Sequence, residues 1–148
     1  DKVSEDESGK CDAEATEDGK DCVYGVLYEV AKAEKPKLDE AEGLGHGYDE
    51  KSVQVITAKG TRPAVMYYAT KKDLSRKPYH WYKAFVVAGA VEHGLPFPYI
   101  EWLRTTESMQ DAKMSRRLCN ERLLSKRQLT ARSTRTRAEV ARAGSRGR

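Results

Sequence analysis

The sequence lacks the features that mark membrane and secreted proteins. No apolar run approaches the roughly 18 residues that a membrane-spanning helix needs. Mean hydropathy is -0.77, and 34% of the residues are charged. The first residues, 1–7, are acidic and contain no apolar core, so they do not resemble a secretory signal. We therefore expect a soluble protein without a membrane partner.

Cysteine is scarce and is not arranged as a scaffold. The chain has three cysteines, Cys11, Cys22 and Cys119, and no CxxC pair. This pattern predicts neither a disulfide framework nor a zinc site. Because no pair of histidines has the spacing of metal ligands either, we predict no metal. Reduced thiols are typical of an intracellular protein, so the predicted location is cytoplasmic.

The two ends of the chain carry opposite charge. Residues 1–22 contain nine acidic residues and three lysines, whereas residues 113–148 contain twelve Lys or Arg and two glutamates. Since Val3 is the only large apolar residue before Cys22, residues 1–21 are predicted to be an acidic disordered segment or loop. Residues 126–148 are predicted to be a basic disordered tail. This leaves one folded domain over 22–125.

Apolar periodicity inside this domain predicts both strands and helices. Two alternating segments flank Lys59-Gly60 and are typical of a β-hairpin. Apolar residues at helical spacing recur in the second half of the domain. The predicted strands are 22–30, 48–57 and 61–70, and the predicted helices are 81–92, 98–105 and a weaker one over 114–124.

A short acidic helix that ends in glycines lies between the first strand and the hairpin. Pro36 suits a first helical position, where its missing N–H would have no partner anyway. Gly43 suits the position just past the helix end, where a positive φ is favourable for glycine. The helix is therefore expected to be about two turns long.

Glu42 is the candidate functional residue of this helix. It follows Leu38 by four positions and shares its face, so it is carried toward the apolar side, while Asp39 and Glu40 are expected to face outward. It also lies at the negative end of the helix dipole. Residues that break local rules often mark functional sites, and a carboxylate there could act as a general acid/base. The alternative is an ordinary solvated acidic helix.

Three aromatic residues, Tyr79, Trp81 and Tyr82, fall within four positions of the polar segment that follows the hairpin. Aromatic walls are typical of pockets for small ligands. The alternative is that these rings pack down on the hairpin.

Four sequence signals occur together over about residues 22–104. They are Val23-Tyr24-Gly25-Val26-Leu27-Tyr28; Leu38-Asp39-Glu40-Ala41-Glu42-Gly43 followed by Tyr48; Tyr82-Lys83; and Ala88-Gly89-Ala90 with Glu92-His93-Gly94-Leu95-Pro96 and Tyr99. In combination they resemble the γ-glutamylcyclotransferase family.

The resemblance implies an α+β fold built round a small, partly open mixed β-barrel with peripheral helices. It implies an enzyme that cyclises a γ-glutamyl amide to 5-oxoproline and releases an amine or amino acid, in glutathione metabolism, without a cofactor. Glu42 corresponds to the family's catalytic glutamate, as general acid/base. Tyr48 and Tyr82 fall near tyrosines that bind the family's small-molecule substrate.

The chain departs from the family pattern at one point. The loop reading tyrosine-glycine-serine-asparagine, which binds the substrate's carboxylate in the family, is absent, and the domain is expected to lack its first strands. A second copy could supply them in a homodimer, because unpaired sheet edges favour association. Alternatively, the chain is a non-catalytic or truncated member that acts as an interaction domain. A nucleic-acid binder that uses the basic tail is a further alternative.

Overall fold

A computed structural model describes residues 2–4, 6–130 and 139–144 of the chain. This part contains four helices, a four-stranded antiparallel sheet and a separate two-stranded ribbon. The elements are β1 (Lys2–Val3), β2 (Gly9–Lys10), β3 (Cys22–Leu27), α1 (Lys35–Glu42), β4 (Tyr48–Thr57), β5 (Gly60–Ala69), α2 (His80–Glu92), α3 (Phe97–Thr105), α4 (Met114–Thr130) and β6 (Glu139–Gly144).

The predicted hairpin is confirmed as β4 and β5. Tyr48 lies opposite Ala69 at its open end, and Thr57 lies opposite Gly60 at the turn. The Thr57 hydroxyl closes the turn, since it accepts the Lys59 N–H at 3.1 Å and donates to the Gly60 carbonyl at 2.9 Å. Gly60 has a φ of +106°, which explains why glycine occupies this position.

The C-terminal segment differs from the expectation of a disordered tail over 126–148. Helix α4 continues to Thr130, and β6 lies between β3 and β4 in a sheet of order β3-β6-β4-β5. Strand β6 pairs with β3 along its whole length, from Cys22 opposite Gly144 to Leu27 opposite Glu139. Strand pairing uses backbone groups, which composition does not encode. The arginine-rich stretch 132–137 and residues 145–148, on which a nucleic-acid-binding role depends, lie outside the described residues.

The hydrophobic core lies where α2 and α3 meet. Ala90, Leu95 and Ile100 are buried there, and Tyr99 and Leu103 pack against them. Tyr24 of β3 covers the same cluster, its ring centroid 5.2 Å from that of Tyr99. All three helices predicted for the second half of the domain are present as α2, α3 and α4.

The acidic N-terminal segment is partly ordered. Its strands β1 and β2 pair antiparallel, and the Gly9 N–H donates to the Lys77 carbonyl at 3.1 Å. The Tyr79 hydroxyl donates to the Asp6 carbonyl at 3.0 Å. Residues 11–21 form no regular element. The N-terminal segment is thereby attached to the start of α2.

The fold is mixed α and β, and the described sheet is open. The partly open barrel implied by the resemblance and the absence of its first strands stay predictions. No helix within the described ranges is long and apolar enough to cross a membrane.

Candidate functional site

Helix α1 places Glu42 at its last position, as predicted. Pro36 lies in the first helical turn, and Gly43 ends the helix with a φ of +69°. The chain reverses there, because the N–H groups of Gly43 and Leu44 donate to the Glu40 and Asp39 carbonyls at 3.0 and 2.9 Å.

The orientation of α1 matches the prediction in one respect and differs in another. Leu38 and Glu42 are half-buried on the inner face, as expected. Asp39, which was expected to face outward, accepts a hydrogen bond from the Tyr67 hydroxyl and pairs with Lys35. The outward prediction for Asp39 is wrong because β5 lies close enough for a tyrosine hydroxyl to reach this carboxylate.

The loop after α1 brings Tyr48 back toward Glu42. The Gly45 N–H donates to the Tyr48 carbonyl at 2.8 Å, and the Thr70 N–H donates to the Gly47 carbonyl at 3.1 Å. Tyr48 is therefore held at the start of β4, half-buried.

Tyr82 lies in the first turn of α2, in a helix start that Asp111 fixes. The Trp81 indole N–H donates to the buried Asp111 carboxylate at 3.0 Å, and Trp81 meets Tyr82 edge to face at 6.2 Å. Tyr79 is buried against the Asp6 backbone and the Arg116 guanidinium, which lies 4.9 Å from its ring centroid. The hydrogen-bond and cation partners of these rings lie in the N-terminal segment, at Asp111 and in α4.

Tyr48 and Tyr82 both bind the backbone of Cys11. The Tyr48 hydroxyl donates to the Cys11 carbonyl at 3.0 Å, and the Cys11 N–H donates to the Tyr82 hydroxyl oxygen, also at 3.0 Å. Two residues that are 34 positions apart in the sequence thus share a partner from the N-terminal segment.

Both hydroxyls keep their protons at neutral pH. Burial raises the pKa of Tyr48 to about 12, and the nearby Glu42 carboxylate adds to the effect, followed by Cys11 and Asp12. Burial also raises the pKa of Tyr82, with Cys11 and Tyr48 as further contributors. Neutral phenols can donate hydrogen bonds to an anionic or carbonyl oxygen. The effect of Glu42 on Tyr48 also places these two groups within electrostatic reach of each other.

Glu42 itself makes no hydrogen bond or ion pair with any group that the structure describes. By contrast, Asp12 on the same side is held by two partners. Its carboxylate accepts the Ala69 N–H at 2.8 Å and pairs with Lys72 at 2.7 Å. This contact ties the segment that carries Cys11 to the end of β5.

The site thus combines a carboxylate with no hydrogen-bond or ionic partner among the described residues, two neutral hydroxyls and the Cys11 backbone that binds both of them. Such a set can move protons and hydrogen-bond a small polar ligand. In the part of the chain that the structure covers, no three His, Cys, Asp or Glu side chains are grouped to hold a metal ion.

Sequence reasoning did not find Cys11, Asp12, Lys10 or Asp111. The contributions of Cys11 and Asp12 depend on partners more than 30 positions away, so no local pattern marks them. The only local indication of these contacts was the cluster of Tyr79, Trp81 and Tyr82, which was interpreted as a pocket wall or as rings packed on the hairpin.

Comparisons with known proteins agree with the resemblance in the sequence. Residues 22–103, more than half of the chain, match the AIG2-like family. Over 88 residues the chain is 35% identical to a human and 34% identical to a mouse γ-glutamylcyclotransferase, which covers 59% of this chain and 47% of each relative. The chain therefore spans about half the length of these curated relatives. A solved γ-glutamyl cyclotransferase structure matches with a TM-score of 0.54 at 28% identity, over 65% of this chain and 57% of that one.

Proposed function

The chain belongs to the AIG2-like family, and we propose that it is an enzyme of the γ-glutamylcyclotransferase type. The substrate is a small γ-glutamyl amide, and the products are 5-oxoproline and a free amine or amino acid. The observation that carries the proposal is Glu42, which has no hydrogen-bond or ionic partner among the described residues and helps to raise the pKa of Tyr48, the tyrosine that shares the Cys11 backbone with Tyr82.

Glu42 acts as the general acid/base. The substrate's α-ammonium loses a proton to the Glu42 carboxylate, and the resulting amine attacks the γ-carbonyl carbon. A new C–N bond closes the five-membered ring while the amide C–N bond breaks, and the first proton passes from Glu42 to the leaving nitrogen. The ring nitrogen then gives up a second proton to Glu42, which returns it to the released amine, so that the products are a neutral lactam and an ammonium. No water enters the reaction, so one carboxylate that accepts and returns these two protons in turn is sufficient.

Tyr48 and Tyr82 orient the substrate. Their raised pKa values keep both phenols protonated. Tyr82 accepts the Cys11 N–H and can donate its own proton to a carboxylate or carbonyl oxygen of the glutamyl group, whereas Tyr48 donates its proton to the Cys11 carbonyl and can accept a hydrogen bond from the substrate's α-ammonium. Holding the amine against the γ-carbonyl is itself a large contribution, since proximity in ring closure is worth about 7–11 kcal/mol at best. The protein's main task is therefore to select the folded conformer of the substrate.

The test is release of 5-oxoproline from a panel of γ-glutamyl amino acids, γ-glutamylamines and glutathione. Glu42→Gln should abolish the release, whereas the matched control Glu40→Gln, an exposed glutamate on the same helix, should retain it. Circular dichroism of each variant confirms that the fold is kept. Full turnover by Glu42→Gln would show that the assignment of Glu42 is wrong, and no release from folded wild-type protein would favour a non-catalytic interaction domain.

A further inference from the structure

The ammonium group of Lys10 lies in a cage of three aromatic rings. Its Nζ atom is 5.1 Å from the ring centroid of Tyr82, 5.7 Å from that of Tyr79 and 5.8 Å from that of Trp81. A cation within about 6 Å of an aromatic centroid is attracted by the negative face of the ring. Three such contacts to one ammonium make this more than an incidental surface contact.

An acidic partner completes the cage. Lys10 Nζ donates to Asp6 Oδ1 at 3.1 Å and also to the Ser8 hydroxyl. Only 16% of the Lys10 side chain and 17% of the Asp6 side chain are exposed. Because lysine is seldom buried unless it is paired, the Asp6 carboxylate and the three rings offset the loss of water around the Lys10 ammonium.

Lys10 is followed directly by Cys11, whose backbone binds the two candidate substrate-binding tyrosines. Cys11 offers its carbonyl to Tyr48 and its N–H to Tyr82, and the next residue, Asp12, fixes the chain to the Ala69 N–H. Lys10 therefore contacts the ring of Tyr82 and directly precedes the residue whose backbone binds both tyrosines.

We propose that Lys10 is a positioning residue, which sets the orientation of Tyr82 and of the Cys11 peptide through its three-ring cage. This inference deepens the proposed function and rests on it. Lys10 itself contacts neither substrate nor reacting atoms. Without its ammonium, the Cys11 peptide shifts, and the hydroxyls of Tyr48 and Tyr82 lose the partner that fixes their spacing.

The test uses Trp81 as an internal reporter, in a Trp102→Phe background that removes the other tryptophan. Lys10→Met should alter Trp81 emission. It should also raise KM about tenfold while kcat falls less than threefold, because the hydrogen bonds to bound substrate are weakened. Lys10→Arg keeps the cation and should restore both signals. The matched control is Lys51→Met, because Lys51 lies over the single ring of Tyr68 at 5.1 Å, outside the cage.

A chemical rescue separates the cation from general packing. In Lys10→Ala, added n-propylammonium should occupy the emptied cage, return Trp81 emission toward the wild-type value and lower KM. Failure of the amine to restore either signal in folded protein would overturn the proposal. So would a Lys10→Met variant whose KM matches that of Lys51→Met, since this would indicate a merely structural lysine.

The failure of the proposed function is distinguishable from the failure of this inference. If the wild type releases no 5-oxoproline, the proposed activity is wrong, and the affinity for 5-oxoproline, read from Trp81 emission, replaces KM. A loss of that affinity in Lys10→Met and its return with n-propylammonium would support Lys10 as a positioning residue of a binding site. A wild type that neither releases nor binds 5-oxoproline overturns both.

Discussion

Two carboxylates in this chain, Asp111 and Glu42, lie in opposite environments. The Asp111 side chain is fully buried and accepts hydrogen bonds from Trp81 Nε1, the Lys113 N–H and two nitrogens of Arg116, at 2.6 to 3.0 Å. Glu42 is half-buried and has no hydrogen-bonding or ionic partner among the described residues.

The difference separates a structural acid from a candidate functional one. Hydrogen bonds from the Arg116 guanidinium hold the pKa of Asp111 well below its ordinary value, with Trp81 and Lys113 helping and burial opposing. A carboxylate whose acceptor sites are all used can hold elements together but is not available to a ligand. Glu42 has no such partner among the described residues, and its charge contributes to the raised pKa of Tyr48. Substitution of Glu42 should therefore affect function more than stability, and substitution of Asp111 should affect stability more than function.

The largest effect is expected for Glu42→Gln on catalysis. Loss of general acid/base catalysis should lower kcat by about 10²–10⁴-fold. The free energy of unfolding should change by less than about 0.5 kcal/mol, because no hydrogen bond within the described structure is lost. Turnover and urea denaturation of the same preparation measure both. A large loss of stability in this variant would place Glu42 with Asp111 as a structural residue.

The opposite result is expected for Asp111→Asn. An amide cannot neutralise Arg116, and one of its two polar atoms is a donor facing a donor, so the free energy of unfolding should fall by about 2–3 kcal/mol. Urea denaturation checks this value, with Glu107→Gln as the control because Glu107 forms an exposed ion pair with Lys77. Equal stability of the two variants would contradict the structural role of Asp111.

Asp111 should also make the stability of the protein depend on pH. The pKa of Asp111 in the folded state lies below its ordinary value of 3.8, so its stabilising effect is complete above that pH and is lost as the pH falls through the folded-state value. Wild-type stability should therefore decline in acid below about pH 4. Asp111→Asn should show a shallower decline over the same range. Identical acid profiles would exclude Asp111 as a source of this dependence.

Tyr48→Phe and Tyr82→Phe are expected to have smaller effects, which fall on both function and stability. Each removes one hydrogen bond to the Cys11 peptide, worth about 0.5–1.5 kcal/mol. Because both bonds are made to the backbone of one residue, Cys11, the stability loss of the double variant should differ from the sum of the two single losses by about 0.5 kcal/mol or more. Tyr68→Phe is the control. Strict additivity would indicate that Cys11 does not couple the two tyrosines.

Local signals in the sequence were sufficient for the parts of the fold that depend on neighbouring residues. Pro36 and Gly43 fixed the ends of α1, and the Lys59-Gly60 turn fixed the hairpin, because caps and turns are determined within a few positions. Glu42 was singled out for the same reason, since its conflict with the helix dipole can be read from α1 alone.

Contacts between distant segments could not be predicted. Trp81 and Asp111 are 30 positions apart, and Tyr82 and Cys11 are 71 apart, so no periodicity connects them. Strand β6 was missed because alanine, glycine and arginine give little β signal, while its pairing with β3 depends on backbone groups. The sequence therefore singled out Glu42, Tyr48 and Tyr82 as candidates, but not the Cys11 backbone that binds the two tyrosines.

Asp12 is intermediate between Asp111, whose carboxylate has several partners, and Glu42, whose carboxylate has none among the described residues. Its carboxylate is nearly buried, and the exposed Glu14 shares its partner Lys72 at 3.2 Å. Asp12→Asn keeps an acceptor for the Ala69 N–H but loses the ion pair, so stability should fall by about 0.5–1 kcal/mol, whereas Glu14→Gln should change little.

Asp12 also contributes to the raised pKa of Tyr48, after burial, Glu42 and Cys11. Removing its negative charge should lower that pKa from about 12 toward the ordinary 10.0, and Glu42→Gln should lower it further because Glu42 is the larger contributor. Ultraviolet absorbance titration of the phenolate, with Tyr48→Phe to identify its signal, measures both shifts. If Glu42→Gln left this titration unchanged, the Glu42 carboxylate would not face Tyr48, and the proposed site would lose its acid/base.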